Sequence, residues 1–169
     1  MYHDLCRMFA RYNAWANTRL YAVAATLSPA EFGQDRGAFF GGLSGTLNHL
    51  LATDRIWLRR FSGTGDAPTA LNAILHADFG PLSEARRSED ARIIAWVDSL
   101  DDTQLAANFT YQPVTNPRDI TQPLAPALAH LFNHQTHHRG QAHTILTGFG
   151  KAVPSLDLIQ FQREDVAPG

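Results

Sequence analysis

Between Leu5 and Leu27, the residues Leu5, Met8, Phe9, Tyr12, Trp15, Ala16, Leu20, Val23 and Leu27 recur at steps of three and four. Only a helix of 3.6 residues per turn lays such a set along one face, so the spacing commits this stretch to helix. Ser28-Pro29-Ala30-Glu31 then reads as a capping box with proline at the first helical position, which starts a short new turn. A second long helix is predicted over residues 44–61, with Leu43, Leu47, Leu51 and Leu58 as its stripe and Leu50 and Trp57 beside it. His49 lies off that stripe and shares a face with Thr53 and Ile56. A third helix gathers Leu82, Ala85, Glu89, Ile93, Trp96, Val97 and Leu100. A fourth, entered through Pro123 and Pro126 and capped by Thr121, carries Leu124, Leu128, Leu131, Ala142, Leu146 and Phe149 and stops at Gly148 and Gly150.

The rest reads as connection. Residues 37–45 are rich in glycine, and residues 62–80 hold Gly, Pro and Thr and then a brief apolar run worth one helical turn. Phe109-Thr110-Tyr111-Gln112-Pro113-Val114 alternates in polarity and Thr115-Asn116-Pro117-Arg118 is turn chemistry, which predicts a short hairpin before the fourth helix. Residues 153–161 carry enough apolar side chains to pack back onto the helices. The expected fold is all-α: a four-helix bundle forming a single domain over residues 1–169.

Composition narrows the function. With 44% hydrophobic and 18% charged residues, the chain can bury a core, which excludes general disorder. A net charge of -2, with Lys151 the single lysine, gives no basic surface for nucleic acid. No run approaches the roughly 20 apolar residues of a membrane span, and MYHDLCRMFARYNAW mixes Asp, His and Arg into positions a signal peptide keeps apolar. A cytoplasmic protein with neither nucleic-acid nor membrane partners is expected. Cys6 has no second cysteine to pair with and reads as a half-buried structural thiol.

Five of the eight histidines fall within residues 130–143. Projected at 100° per residue, His134 and His138 share one helix face at the edge of the apolar stripe, near Ala127 and Ile145. His130 and His137 turn toward solvent, and His143 points away from the core. His3 and His76 read as surface residues. An i, i+4 histidine pair can chelate one ion, and burying two imidazoles beside leucines is costly unless each finds a partner. His49, set mid-helix among Leu47, Leu50 and Leu51, is the candidate third ligand; its alternative is a hydrogen-bonded core histidine. Three histidines with open positions form the catalytic pattern of a metal site rather than the closed structural one. Asp54 is either an exposed carboxylate, an acceptor that orients an imidazole, or a general base; whether it or Gln141 supports the site stays open.

The stretches HLFNHQTHHRGQAHTILTGFG, PSLDLIQF, LNHLLATDRIWLRRF and RYNAWAN together resemble the DinB/YfiT-like family of metal-dependent proteins. The most specific part is His134, His138, Arg139, Gly140 and Gln141, an HxxxHRGQ pattern. The resemblance implies a bundle in up-down-down-up order, commonly a homodimer, holding zinc, nickel, iron or manganese on three histidines. Carried onto this sequence, the ligands are His49, His134 and His138. The wider superfamily includes enzymes that use a low-molecular-weight thiol, such as bacillithiol S-transferases and mycothiol-dependent maleylpyruvate isomerase, although most members have no assigned reaction. The function expected from this is a metal-dependent enzyme acting on a small molecule, by thiol transfer or conjugation. The alternatives are a metal-dependent hydrolase, with Asp54 as base because no HExxH glutamate is present, and a non-catalytic metal- or ligand-binding bundle.

Overall fold

The structure, a computed structural model, describes residues 2–116 and 118–165. The first helix, α1 (Tyr2–Ala24), follows the predicted stripe from Met8 onward and buries Ala10, Tyr12, Ala16 and Leu20, while Leu5, placed on that stripe, stays exposed. Leu27 lies beyond its end but still packs against the core. In α2 (Pro29–Gly33) the capping box forms: Ser28 Oγ accepts from the Glu31 amide, and the Glu31 carboxylate accepts from the Ser28 amide at 2.7 Å.

The glycine-rich stretch is more than the connection predicted for it. β1 (Asp35–Ala38) and β2 (Gly41–Gly42) pair antiparallel and fold tightly onto the start of α3 (Leu43–Ser62). Glycine makes this possible. Gly41 has a φ of +80°, and a Cβ on Gly45 would lie 1.9 Å from the Phe40 carbonyl oxygen.

α3 matches the predicted second helix, but its burial is not confined to one stripe: His49, Thr53, Asp54 and Ile56 are buried along with the leucines. Residues 63–78 form neither helix nor strand, and the one turn expected there is a single hydrogen-bonded turn in which the Ala73 amide donates to the Ala70 carbonyl at 3.4 Å. Their backbone groups serve α3 instead, since the Leu71 carbonyl meets His49 and the His76 amide and carbonyl both bond the Asn48 side chain. The third predicted helix appears as α4 (Phe79–Asp98). A short α5 (Asp102–Ala106) follows, unforeseen although Asp101 and Gln104 spell a capping box.

The expected hairpin exists as β3 (Asn108–Tyr111) paired with β4 (Ile120–Pro123). Of its turn, Pro117 lies outside the described residues. Thr121 does not cap the next helix. It sits within β4, where its hydroxyl meets that of Thr110 at 2.8 Å, so the ladder claims it, and Pro123 takes the N-cap position of α6 (Leu124–Gly148). Pro126 stands in the first turn of α6, where its missing amide costs nothing. The chain closes with α7 (Leu158–Asp165), which brings Phe161 onto Tyr12 and Trp15.

Four long helices make the body, with α1 packed on α4 and α6, and α3 on α6 and α4. Their core is two apolar clusters. One holds Leu20, Leu43, Leu47, Leu51, Leu82 and Leu146; the other holds Ala10, Leu58, Ile93, Val97, Leu128 and Leu131. Along α1 and α6 the chain passes from the second cluster to the first, and along α3 and α4 it passes the other way. Between the clusters every long helix contributes buried polar residues: Asn13 and Asn17, Asp54, Arg86 and Asp90, Gln135 and Arg139. No helix among the described residues is long and apolar enough to cross a membrane.

Candidate metal centre

The three predicted ligands meet at mid-height of α3 and α6. The ligand nitrogens of His49, His134 and His138 all lie within 4.8 Å of one another, and His49 Nε2 is 3.2 Å from His134 Nε2. The ring centroids of His134 and His138, one helical turn apart, are separated by 4.5 Å. His49 and His138 are buried and His134 is half-buried.

Two of the imidazoles are oriented from behind. His49 Nδ1 donates to the Leu71 carbonyl at 2.6 Å, and His138 Nδ1 donates to Gln141 Oε1 at 2.7 Å. A ring that donates through Nδ1 leaves Nε2 unprotonated with its lone pair free, the tautomer that ligates a metal. Burial keeps the rings neutral: it lowers the pKa of His49 to about 4 and that of His134 to about 3, and it lowers His138 as well. Tetrahedral nitrogens at zinc-like distances from one ion stand about 3.3 Å apart. The 3.2 Å separation of His49 and His134 fits that edge. Neutral, convergent imidazoles, two of them with the far nitrogen committed, therefore suit a late first-row divalent ion.

Around the triad the structure supplies neighbours that periodicity does not reveal. Phe40, at the turn of the β1–β2 hairpin, stacks on His49 with ring centroids 3.8 Å apart and meets the His138 ring edge-on at 5.5 Å. Its position depends on Gly45, and a glycine next to an aromatic was the one sequence signal for it. A groove of about 450 Å³ between this hairpin and α6 is lined by Arg36, Phe39, Gln141 and Thr144, which brings open space to the residue that bonds His138.

Other candidates are placed elsewhere. His130 and His137 are exposed, and His143 lies on the far side of α6, in a groove with Phe9, Tyr12 and Leu156. Asp54 is not an exposed carboxylate: it is 1% exposed. Its Oδ1 accepts from Gln135 at 2.5 Å, and its Oδ2 lies 2.7 Å from Arg86 Nη1, so both oxygens face the buried polar layer. Burial pushes its pKa up to about 6 against the pull of Arg86. Gln141, whose part the sequence left open, touches His138 directly. Cys6 is half-buried, and burial raises its thiol pKa.

Comparison with known proteins agrees with this architecture. The chain is 24% identical to Protein DinB of Bacillus subtilis (strain 168), with 91% of each chain covered. The crystal structure of a DinB-like protein from Bacillus cereus ATCC 10987 superposes with a TM-score of 0.66 at 17% identity, covering 87% of this chain and 94% of that one, which shows the shared fold. The model of the DinB family matches residues 1–167, and with the fold and the histidine cluster in place, the chain belongs to the DinB family.

Proposed function

We propose that His49, His134 and His138 bind a divalent metal ion and that the protein is a metal-dependent enzyme acting on a small molecule by thiol transfer or conjugation. The observation that carries the reading is the pair of Nδ1 hydrogen bonds, to the Leu71 carbonyl and to Gln141, which leaves two Nε2 lone pairs converging on the third histidine. Bound there, such an ion supplies Lewis acidity that lowers the pKa of a thiol brought to it. The chain contributes the rest. Leu71 and Gln141 fix the two ring orientations, the Phe40 ring covers His49, and the groove beside Gln141 on the hairpin side is where a small molecule would approach. Three protein ligands leave coordination positions for a cosubstrate, and this favours catalysis over a closed structural site.

Hydrolysis is less well supported. It requires a base to take a proton from water, and Asp54 is committed to Arg86 and Gln135. The test combines elemental analysis of the purified protein with conjugation assays using several low-molecular-weight thiols, on the metal-loaded protein and on His49→Ala. Stoichiometric metal and thiol conjugation, both lost in His49→Ala, are expected. Conjugation that survives the substitution would remove the thiolate role, and a wild-type protein that takes up no metal would remove the site itself.

A further inference from the structure

The polar layer between the two apolar clusters lies at the height of the histidines, and on α6 it uses the residues next to them. Gln135 follows His134, and Arg139 follows His138. Gln135 is fully buried, and its single amide nitrogen donates twice to α3: to the Leu50 carbonyl at 3.1 Å and to Asp54 Oδ1 at 2.5 Å. Leu50 is the residue after His49. One side chain thus ties the residue after one histidine to the backbone after another. Asp54 is in turn held by Arg86, which also pairs with Asp90 at 2.9 Å. Asp90 accepts from Asn17 at 2.9 Å, and Arg139 closes the layer by donating to Asn13 and to Asn17.

We infer that Gln135 is the positioning residue that sets the register of α6 against α3 and so brings His134 to His49. Apolar side chains pack in more than one register at similar free energy, whereas a buried amide nitrogen aimed at one carbonyl and one carboxylate keeps both acceptors in only one. Sliding α6 by one residue would strand the Gln135 donor and leave Asp54 Oδ1 without its partner. It would also move His134 along the helix axis by about 1.5 Å, enough to lose the 3.2 Å approach of the two Nε2 atoms. Register is the best-attested use of a buried polar group. The chemical consequence drawn here rests on the metal-site reading; the geometric one does not.

The test is Gln135→Leu, with Gln135→Met as a second variant that keeps the side-chain length and removes both hydrogen bonds. Leu105→Ala serves as a control that opens a cavity in the second apolar cluster. Each full-length protein is titrated with Co²⁺ and followed by visible absorption, and the metal-free variants are crystallised. Loss of the clamp is expected to weaken Co²⁺ binding by about ten-fold or more, in the range seen when groups that orient metal ligands are removed. The ligand-field bands are expected to change, and the His49–His134 Nε2 separation is expected to grow. The control should keep wild-type affinity and spectrum despite its lower stability. Wild-type affinity and spectrum in both Gln135 variants would overturn the inference. If the wild-type protein takes up no Co²⁺, the metal reading falls, and the crystallographic separation alone decides: an unchanged 3.2 Å refutes the clamp and a longer one supports it.

Discussion

α3 and α6 each carry two chemically opposed regions within a few residues of each other. On one face His49, His134 and His138 are neutral imidazoles whose ligand nitrogens lie within 4.8 Å of one another. On the other, the charged groups of Asp54, Arg86, Asp90 and Arg139 are linked by direct pairs and through the neutral amides of Asn13, Asn17 and Gln135. Both regions are largely removed from solvent, so burial alone does not separate a site from a scaffold. The difference is charge. The layer sets cations against anions and so balances itself from within, although Gln135 Oε1 and Arg86 Nε find no partner in it, whereas neutral imidazoles gathered at one point can take up a cation.

The largest test of that contrast removes a histidine. His134→Ala is expected to reduce bound metal from stoichiometric to trace, read by elemental analysis, while the metal-free protein keeps its thermal midpoint or gains, because a desolvated imidazole disappears. Arg86→Met should do the reverse. It leaves Asp54 and Asp90 buried with their cation gone and is expected to cost about 3–5 kcal/mol in chemical denaturation.

Acid separates the two regions by sign. The histidines have folded-state pKa values below their ordinary 6.5, so between pH 6.5 and about 4 the unfolded chain binds protons that the folded chain does not. Stability of the metal-free protein should therefore fall as pH drops through that window. Asp54 acts oppositely. Its carboxyl is raised from 3.8 to about 6, so the folded chain holds a proton the unfolded chain has lost, and its contribution weakens as pH rises from about 4 to 6. Burial raises the Asp90 carboxyl too, so three lowered histidines stand against two raised carboxyls and the wild-type curve should slope toward acid instability. A His49→Ala, His134→Ala double variant should flatten or invert that slope in urea melts between pH 4 and 6. The smallest effect belongs to Phe40→Ala, which removes the stack on His49. About 1 kcal/mol of stability should go with it, together with faster stripping of metal by a chelator. An unchanged stripping rate would show that the ring does not guard the site.

How much of this was legible in the sequence follows from the range of the interactions. The four long helices, the Ser28–Glu31 capping box and the His134/His138 pair rest on spacings within one element, and periodicity reads those directly. His49 was reachable because a histidine among Leu47, Leu50 and Leu51 needs a reason. The β1–β2 hairpin was not, since its glycines look like any linker until the Phe40 carbonyl is seen against Gly45. Asp54 is ambiguous in the sequence because its partners, Arg86 and Gln135, lie far along the chain on other helices; they, and not an imidazole, take its oxygens. The assignment of Thr121 as a cap failed for a related reason: Thr110, across the hairpin, had already taken its hydroxyl.

The hydrogen bond from His49 to Leu71 has a consequence for how such a protein can change. Leu71 sits within residues 63–78, which form neither helix nor strand, and such segments tolerate insertion and substitution better than the helices they join. What Leu71 contributes is a backbone carbonyl, which any residue at that position would present. Sequence drift there leaves the contact intact, while a change in segment length moves the oxygen and with it the electron richness of the histidine. Loop length thereby becomes a dial on the basicity of His49, one that an evolving lineage or a protein engineer can turn while every histidine stays in place.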